Sequence, residues 1–398
     1  MEFIREKTKK KPINKKKLIK RILIALGLVL VVVFVVLMYL KFENPQDGDS
    51  ASNTEGEVGT EETEVDIELT PQISLTISDY QSLQNALYEI GANVNKSIVT
   101  ISVEMEENDW IEESYENSWQ GAGFIVSQTS DYIYVLTETR LISDLSNIKV
   151  VFIDGTSAKA TLLKSDERTG MAMLTVEKRQ MQLETRRAIS IANLGDSDVV
   201  ANGEIVIALG SPLGSNYAIL SGNVSSVENK ISMRDKNYGL FTTDIITSRN
   251  GSGILVNING EIVGIIAQSF AGEEEVGALT AVSINGVKPM ITAMTNGKDR
   301  AYIGLYVSTV TEVISKEHNI PEGVFIKEVV TESPAMKAGL QSGDVIVKIN
   351  DTAIRTDADM SKKIENLIPG TVCEIKVKRQ SGDEYYDVTC EVEIGIVE

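Results

Sequence analysis

One apolar run near the start of the chain determines where everything after it can fold. Residues 22–40 read ILIALGLVLVVVFVVLMYL, nineteen residues without a charge. A helix of that length spans about 28 Å, enough to cross the hydrocarbon core of a bilayer. Ten Lys and Arg residues lie within residues 1–21, and the positive-inside bias puts that basic tail in the cytoplasm. The sequence therefore predicts a single-pass anchor in the cell membrane, with the folded domains extracytoplasmic.

The segment after the apolar run is acidic and has almost no apolar periodicity. Residues 42–68 contain ten Asp and Glu and no Lys or Arg, a composition typical of an extended, self-repelling linker. We expect residues 41–77 to be such a linker. A cleaved signal peptide is the rival interpretation, and it is disfavoured because residues 40–43 (LKFE) offer no small-residue cleavage site.

Composition excludes several classes of function. The formal net charge is −19 for 398 residues, which argues against a nucleic-acid-binding protein because such binding depends on cationic neutralisation of phosphates. His318 is the single histidine, so a multi-histidine metal site is excluded. The sequence indicates no metal and no cofactor. At this length, two folded units are expected.

Short β-type runs dominate the first expected unit, residues 78–297. They include SIVTISV, GAGFIVS, DYIYVLT, EIVIALG and EIVGIIA, separated by Gly, Asn, Asp and Ser at intervals of roughly ten to twenty residues. Such spacing favours antiparallel barrels over alternating βαβ units. We therefore predict a mainly β protein.

Several motifs in this unit match one family in collinear order. They are GAGFI at 121–125, ALGSPLG at 208–214, SGNVS at 221–225 and NINGEIVGI at 257–265. Together they resemble the HtrA/Deg-type trypsin-like serine proteases. The resemblance implies a chymotrypsin-like double β-barrel, a role in protein quality control or its regulation, and, by family analogy, a homotrimer.

The expected catalytic residues depart from that family's pattern. The run TETRL at 137–141 puts Arg140 where the family has its histidine, and TGMAML at 169–174 puts Gly170 in place of its aspartate. A guanidinium stays protonated and has no lone pair for general-base catalysis. Because a serine nucleophile needs a base and an orienting carboxylate, the sequence predicts a pseudoprotease.

The nucleophile position has two readings, since DIITSRNGSGI at 244–254 is one residue shorter than the family motif. Counting back from Asn259 and Gly260 gives Gly251, and counting forward from Asp244 gives Ser252. An active serine endopeptidase that uses Ser252 with an unorthodox base, such as a lysine, is the alternative function. A base supplied by His318 is less favoured, because no carboxylate would orient it.

The second expected unit, residues 298–395, resembles the PDZ domain of the same family. The match lies in AYIGL at 301–305, GVFIKEV at 323–329, SPAMKAGL at 333–340 and QSGDVIVKIN at 341–350. Such domains add a peptide strand to an open sheet edge and capture its terminal carboxylate with backbone amides. The resemblance puts that site at Tyr302, Ile303, Gly304, Leu305, Tyr306 and Val307. It implies binding of peptides or unfolded protein segments, including C-termini, unless a segment of the protein itself fills the groove.

Two further features leave alternatives open. If Ser381 and Gly382 form a two-residue hairpin turn, Cys373 lies opposite Cys390 within disulfide range; otherwise both remain free thiols. The segment 104–120 holds seven carboxylates and both tryptophans, Trp110 and Trp119. These aromatic residues serve either as interface anchors or as contacts that pin the loop to the barrel.

Overall fold

The structure is a computed structural model that describes residues 75–103, 121–142, 147–272, 277–382 and 384–397. No helix within these ranges is long and apolar enough to cross a membrane. The anchor predicted at residues 22–40, the basic tail and nearly all of the acidic linker lie outside the described residues. So do Trp110 and Trp119.

The first barrel consists of six antiparallel strands in the order β1-β2-β3-β6-β5-β4, and the pairing of β1 with β4 closes it. Its interior is an apolar core made mainly of Val, Ile, Leu, Ala and Met side chains. The strands are β1 (Ile98–Val103), β2 (Gly121–Gln128), β3 (Tyr132–Glu138), β4 (Ile148–Val151), β5 (Ser157–Asp166) and β6 (Met171–Glu177).

The second barrel has the strand order β13-β12-β11-β7-β8-β10, closed by pairing of β13 with β10, and β9 extends β10 as a hairpin. All six residues of β12 are buried, so its sequence is continuously apolar rather than alternating. The strands are β7 (Ile205–Ser211), β8 (Ala218–Ser226), β9 (Lys230–Met233), β10 (Lys236–Ile246), β11 (Ser252–Val256), β12 (Ile262–Ala267) and β13 (Ala278–Ser283).

Helices cover the barrels. Helix α1 (Ile77–Val94) begins at a capping box formed by Thr76 and Asp79, which satisfies free amides of its first turn. At Gly91 it lies so close to β8 that a Cβ would approach Ile219 Cγ2 to 2.6 Å. Helix α2 (Leu183–Ala188) has only six residues. Helix α3 (Ile284–Thr295) buries five apolar side chains in the core shared by the two barrels.

The C-terminal domain has its own apolar core. Its main sheet has the order β15-β16-β17-β19-β20, with β18 beside β17, and β14 pairs with β21. The elements are β14 (Ala301–Tyr302), β15 (Leu305–Val310), α4 (Glu312–His318), β16 (Gly323–Val329), α5 (Pro334–Lys337), β17 (Val345–Ile349), β18 (Thr352–Ala353), α6 (Asp357–Glu365), β19 (Val372–Ser381), β20 (Glu384–Glu393) and β21 (Gly395–Ile396). The predicted mainly β class is confirmed.

The condition for a bridge between Cys373 and Cys390 is not met, and the alternative of two free thiols holds. Ser381 pairs with Glu384, so the turn lies one residue later than the prediction assumed and each residue faces a partner two positions further on. Cys390 therefore lies opposite Ile375 rather than Cys373. Both cysteines are free and buried, and burial raises the pKa of the Cys373 thiol to about 11.

Candidate functional site

A cleft of about 540 Å³ lies between the barrels, with Glu138 and Arg140 on one side and residues 247–250 on the other. Arg140 makes a bidentate pair with Glu138, its Nε and Nη2 donating to the two carboxylate oxygens at 2.6 and 2.9 Å. Its Nη2 also donates to the backbone oxygen of Asn250 at 3.1 Å. The guanidinium therefore ties the first barrel to a loop of the second and offers no acceptor for a proton.

Gly170 lies in the turn between β5 and β6, with a φ of +65°. Its carbonyl accepts a hydrogen bond from the Thr139 amide at 2.7 Å, and its own amide donates to the Asp166 carbonyl at 2.9 Å. With no side chain at this position, no carboxylate is supplied here to orient a base. The Asp166 carboxylate nearby accepts hydrogen bonds from Arg168 and Arg300.

Ser252 opens β11 and is 1% exposed. Its Oγ accepts a hydrogen bond from the Ala122 amide at 2.9 Å. It is absent from the described residues that line the inter-barrel cleft. The hydroxyl thus fixes β11 against β2 rather than facing the cleft.

Gly251, the other candidate position, is held in a tight turn. Its amide donates to the Ser248 carbonyl at 2.9 Å. A Cβ on Gly251 would lie 2.3 Å from Thr247 Oγ1 and 2.7 Å from the Pro212 carbonyl oxygen, distances at which the backbone must move. An amide bonded inside its own turn is not directed at a substrate, whereas an oxyanion site needs donors free to point at the developing charge.

Arg140→Ala is expected to lower the free energy of unfolding by about 1–2 kcal/mol at pH 7, because it leaves Glu138 partly buried without a cation. Burial raises the pKa of Glu138, and Arg140 opposes that shift. A raised pKa means that the folded protein binds a proton as pH falls, so the loss should be smaller at an acidic pH, where Glu138 takes up that proton, than at pH 7. Urea titrations at the two pH values measure it.

Arg179→Ala is the matched control, since Arg179 also pairs with a glutamate, Glu177, but is 82% exposed. Its substitution should leave the unfolding midpoint unchanged at both pH values. A loss for Arg140→Ala that grows on acidification would contradict the role assigned to the Arg140 and Glu138 pair.

The predicted carboxylate-binding loop of the C-terminal domain is occupied by a carboxylate of the protein itself. The amides of Gly304 and Leu305 donate to Asp235 Oδ1, each at 2.8 Å, and the Ile303 amide donates to Oδ2 at 2.9 Å. Asp235 lies in the turn between β9 and β10 of the second barrel and is 2% exposed. Burial raises its pKa, and the three amides and Arg168 oppose that shift.

The rest of the hairpin follows the same groove. The Asp235 amide donates to the Leu305 carbonyl at 2.7 Å, and Ser361 Oγ of α6 donates to the Asp235 carbonyl at 3.0 Å. Asn237 Nδ2 donates to Asp357 at 2.7 Å, and Lys236 Nζ lies 2.6 Å from Glu365. The hairpin tip therefore lies between the β15 edge and α6, beside the predicted peptide-binding residues.

The structure brings the six predicted peptide-site residues together. Tyr302 is in β14, Ile303 and Gly304 form the loop, and Leu305, Tyr306 and Val307 begin β15. Gly304 has a φ of +90°, a conformation that turns successive amides toward one side and suits glycine. His318 lies exposed at the end of α4, in the C-terminal domain.

Comparisons with known proteins agree with this architecture. The trypsin-like peptidase domain family matches residues 121–265, and the PDZ domain family matches residues 301–391. A probable periplasmic serine endoprotease DegP-like from Hahella chejuensis is 33% identical over 279 residues, covering 68% of this chain and 56% of the relative. The serine protease Do-like HtrA of Bacillus subtilis is 30% identical over 281 residues, covering 66% of this chain and 61% of the relative.

The chain belongs to the HtrA family. It spans only about 56–61% of the length of those two relatives. Among solved structures, the HtrA-type protease AlgW with a decapeptide matches at a TM-score of 0.55 and 20% identity, covering 78% of this chain and 98% of that chain. The serine endoprotease from Yersinia pestis matches at a TM-score of 0.53 and 21% identity, covering 78% of this chain and 98% of that chain. These two likenesses concern the HtrA fold alone.

The residue that contacts the predicted carboxylate-binding loop, Asp235, was not identified from sequence. Asp235 stands in the run MRDK at 233–236, which is an ordinary polar hairpin turn. Its partners, residues 303–305, lie 68–70 positions later in the chain. Among the described residues, no group of three or more His, Cys, Asp and Glu side chains could hold a metal ion.

Proposed function

We propose that this chain is an HtrA-like pseudoprotease that binds peptides or unfolded protein segments through its PDZ domain. Its role would be in extracytoplasmic protein quality control or its regulation. Arg140, paired with Glu138 and bonded to Asn250 where the family has its histidine, is the observation that carries the proposal. A group that cannot accept a proton cannot activate a hydroxyl.

Two further observations support the loss of catalysis. Ser252 is buried against the Ala122 amide, and the Gly251 amide is used within its own turn. Gly251 is thus the better candidate for the former nucleophile position, with Ser252 one residue beyond it. The barrels then act as a scaffold, and the binding function resides in the PDZ domain.

A fluorophosphonate serine probe tests this proposal on the full chain purified in detergent. We expect no labelling of Ser252, because its hydroxyl has neither a base nor access to the cleft. An active HtrA-type protease labelled in parallel verifies the probe, and Ser252→Ala is the matched control. Labelling that disappears in Ser252→Ala would overturn the proposal in favour of an unorthodox serine endopeptidase.

The cellular placement is a separate part of the proposal. Residues 22–40 would anchor the chain, with residues 1–21 cytoplasmic and the folded domains outside, and the two matched DegP-like and HtrA relatives supply the family context. Accessibility of the C-terminal domain to added protease in intact cells tests the orientation. Full protection in intact cells, with cleavage after lysis, would refute it.

A further inference from the structure

The amides that would hold a peptide's terminal carboxylate already hold a side-chain carboxylate of the second barrel. Asp235 receives hydrogen bonds from three consecutive amides, those of Ile303, Gly304 and Leu305. Chemically, its carboxylate is equivalent to the free C-terminus of a peptide in a PDZ groove. We propose that the β9–β10 hairpin is a built-in PDZ ligand, and that a peptide with a free C-terminal carboxylate binds by displacing Asp235.

This inference rests on the proposed peptide-binding function and adds the regulation of that same site. A peptide and Asp235 cannot bind together, because each amide has one hydrogen to donate. The Leu305 carbonyl would be the first group on β15 to accept a hydrogen bond from an added peptide strand. It already accepts one from the Asp235 amide, at 2.7 Å. Occupation by Asp235 and occupation by a C-terminus are therefore mutually exclusive states.

We call the β9–β10 hairpin, with Asp235 held by the three amides, the latch, and further contacts around Asp235 stabilise it. Asp235 has a φ of +64°, a strained region for a residue with a side chain, although Asp tolerates it better than most. The strained conformation is held by Ser361, which bonds the Asp235 carbonyl, and by the neighbouring pair of Lys236 with Glu365. Lys236 and Glu365 are only 14% and 22% exposed, so water screens this pair less than it would a surface pair.

A cavity beside the latch gives a chain end room to approach. It measures about 710 Å³ and is bounded by Arg168, Asp235, Lys236, Arg300 and Glu365, among others. Its charged lining comprises four cationic side chains and three carboxylates, namely Arg168, Lys236, Lys298 and Arg300 with Asp235, Asp299 and Glu365. Release of the hairpin would also break the contacts of Lys236 and Asn237 with α6, so peptide binding would loosen the PDZ domain from the second barrel.

The size of the effect follows from the population of the open groove. If the latched state holds about 90–99% of the molecules, the apparent affinity for a peptide is reduced about 10- to 100-fold. Removing the Asp235 carboxylate should therefore raise the apparent affinity for a peptide by about 10- to 100-fold. The affinity for peptides without a free C-terminal carboxylate should rise much less, since they cannot use the three amides in the same way.

The experiment measures fluorescence anisotropy of a labelled peptide pool on the full chain in detergent. The pool is nine residues long, randomised at its last four positions, and is prepared with either a free carboxylate or an amide at its C-terminus. Asp235→Asn and Asp235→Ala are compared with the wild type, and Asp351→Ala is the control because Asp351 is fully exposed. Both Asp235 variants should bind the free-carboxylate pool at least tenfold more tightly, and Asp351→Ala should match the wild type.

Each other outcome has a distinct meaning. Equal, measurable binding by wild type and Asp235 variants overturns the latch and leaves the proposed peptide-binding function intact. If the Asp235 variants gain as much affinity for the amidated pool as for the free-carboxylate pool, the peptide carboxylate does not compete with Asp235 for the three amides, and the inference is overturned. If neither the wild type nor any variant binds the peptides, and circular dichroism shows that Asp235→Asn is folded, both the latch and the proposed function are overturned.

Discussion

Asp166→Ala is expected to lower the free energy of unfolding by about 3–5 kcal/mol, the range for a buried ion pair that loses one partner. Asp166 is 1% exposed and accepts hydrogen bonds from Arg168 and Arg300, whose side chains are 5% and 11% exposed. Removing the carboxylate takes away the ion-pair partner of two largely buried guanidinium groups. Arg168 belongs to the turn after β5 and Arg300 directly precedes β14, so the loss should also loosen the PDZ domain from the first barrel.

Urea titration of the full chain, monitored by circular dichroism, measures this loss of stability. Asp166→Asn is measured beside it because it removes the charge and keeps the shape of the side chain. Asp299→Ala is the matched control, because Asp299 also joins these regions through Lys164 but is 48% exposed. That substitution should cost less than about 1 kcal/mol. Equal small losses for Asp166→Ala and Asp299→Ala would contradict the importance of the buried cluster.

Restoring the family's catalytic residue types should not restore proteolysis. We expect the triple variant Arg140→His, Gly170→Asp and Gly251→Ser to cleave β-casein no faster than the wild type. A Cβ at position 251 would lie within 2.7 Å of two oxygen atoms, so a serine there would force the backbone to move. Position 170 has a left-handed φ of +65°, which Asp adopts at a smaller cost than most residues do. The amide at 251 also remains bonded to Ser248.

The measurement is release of casein fragments, with an active HtrA-type protease assayed beside the variant. The variant's circular dichroism spectrum is the control for folding. If the side chains alone were missing, returning them would raise turnover by about 10³-fold or more. A rise of that size would show that the backbone of the cleft has kept its catalytic geometry, and it would contradict the expectation that the backbone around Gly251 prevents catalysis.

The fold was predictable from sequence because its signals are local. The apolar run of β12 predicts a strand, and the YIGL run at 302–305 predicts a carboxylate-binding loop through the family resemblance. The hairpin register was not readable, since moving the turn by one residue moves Cys390 from Cys373 to Ile375. Turn chemistry at Ser381 and Gly382 does not distinguish the two positions.

The state of the cleft and of the groove depended on long-range contacts. Ser252 contacts an amide 130 residues away, and Asp235 contacts amides 68–70 residues away. Nothing in the runs RNGSG or MRDK specifies these partners. The sequence predicts, through the family resemblance, that Arg140 and Gly170 replace the family's His and Asp. The burial of the Ser252 hydroxyl and the contacts of Asp235 became visible only when the strands were assembled.

The most direct test of a binding protein without protease activity follows binding and cleavage in one sample. Labelled, unfolded β-casein is incubated in detergent with the full chain or with its Ser252→Ala variant. The casein that binds is recovered, and its mass is determined by mass spectrometry. We expect casein to bind to both proteins and to be recovered intact from both. Casein fragments that form with the wild type and not with Ser252→Ala would contradict the proposed loss of catalysis.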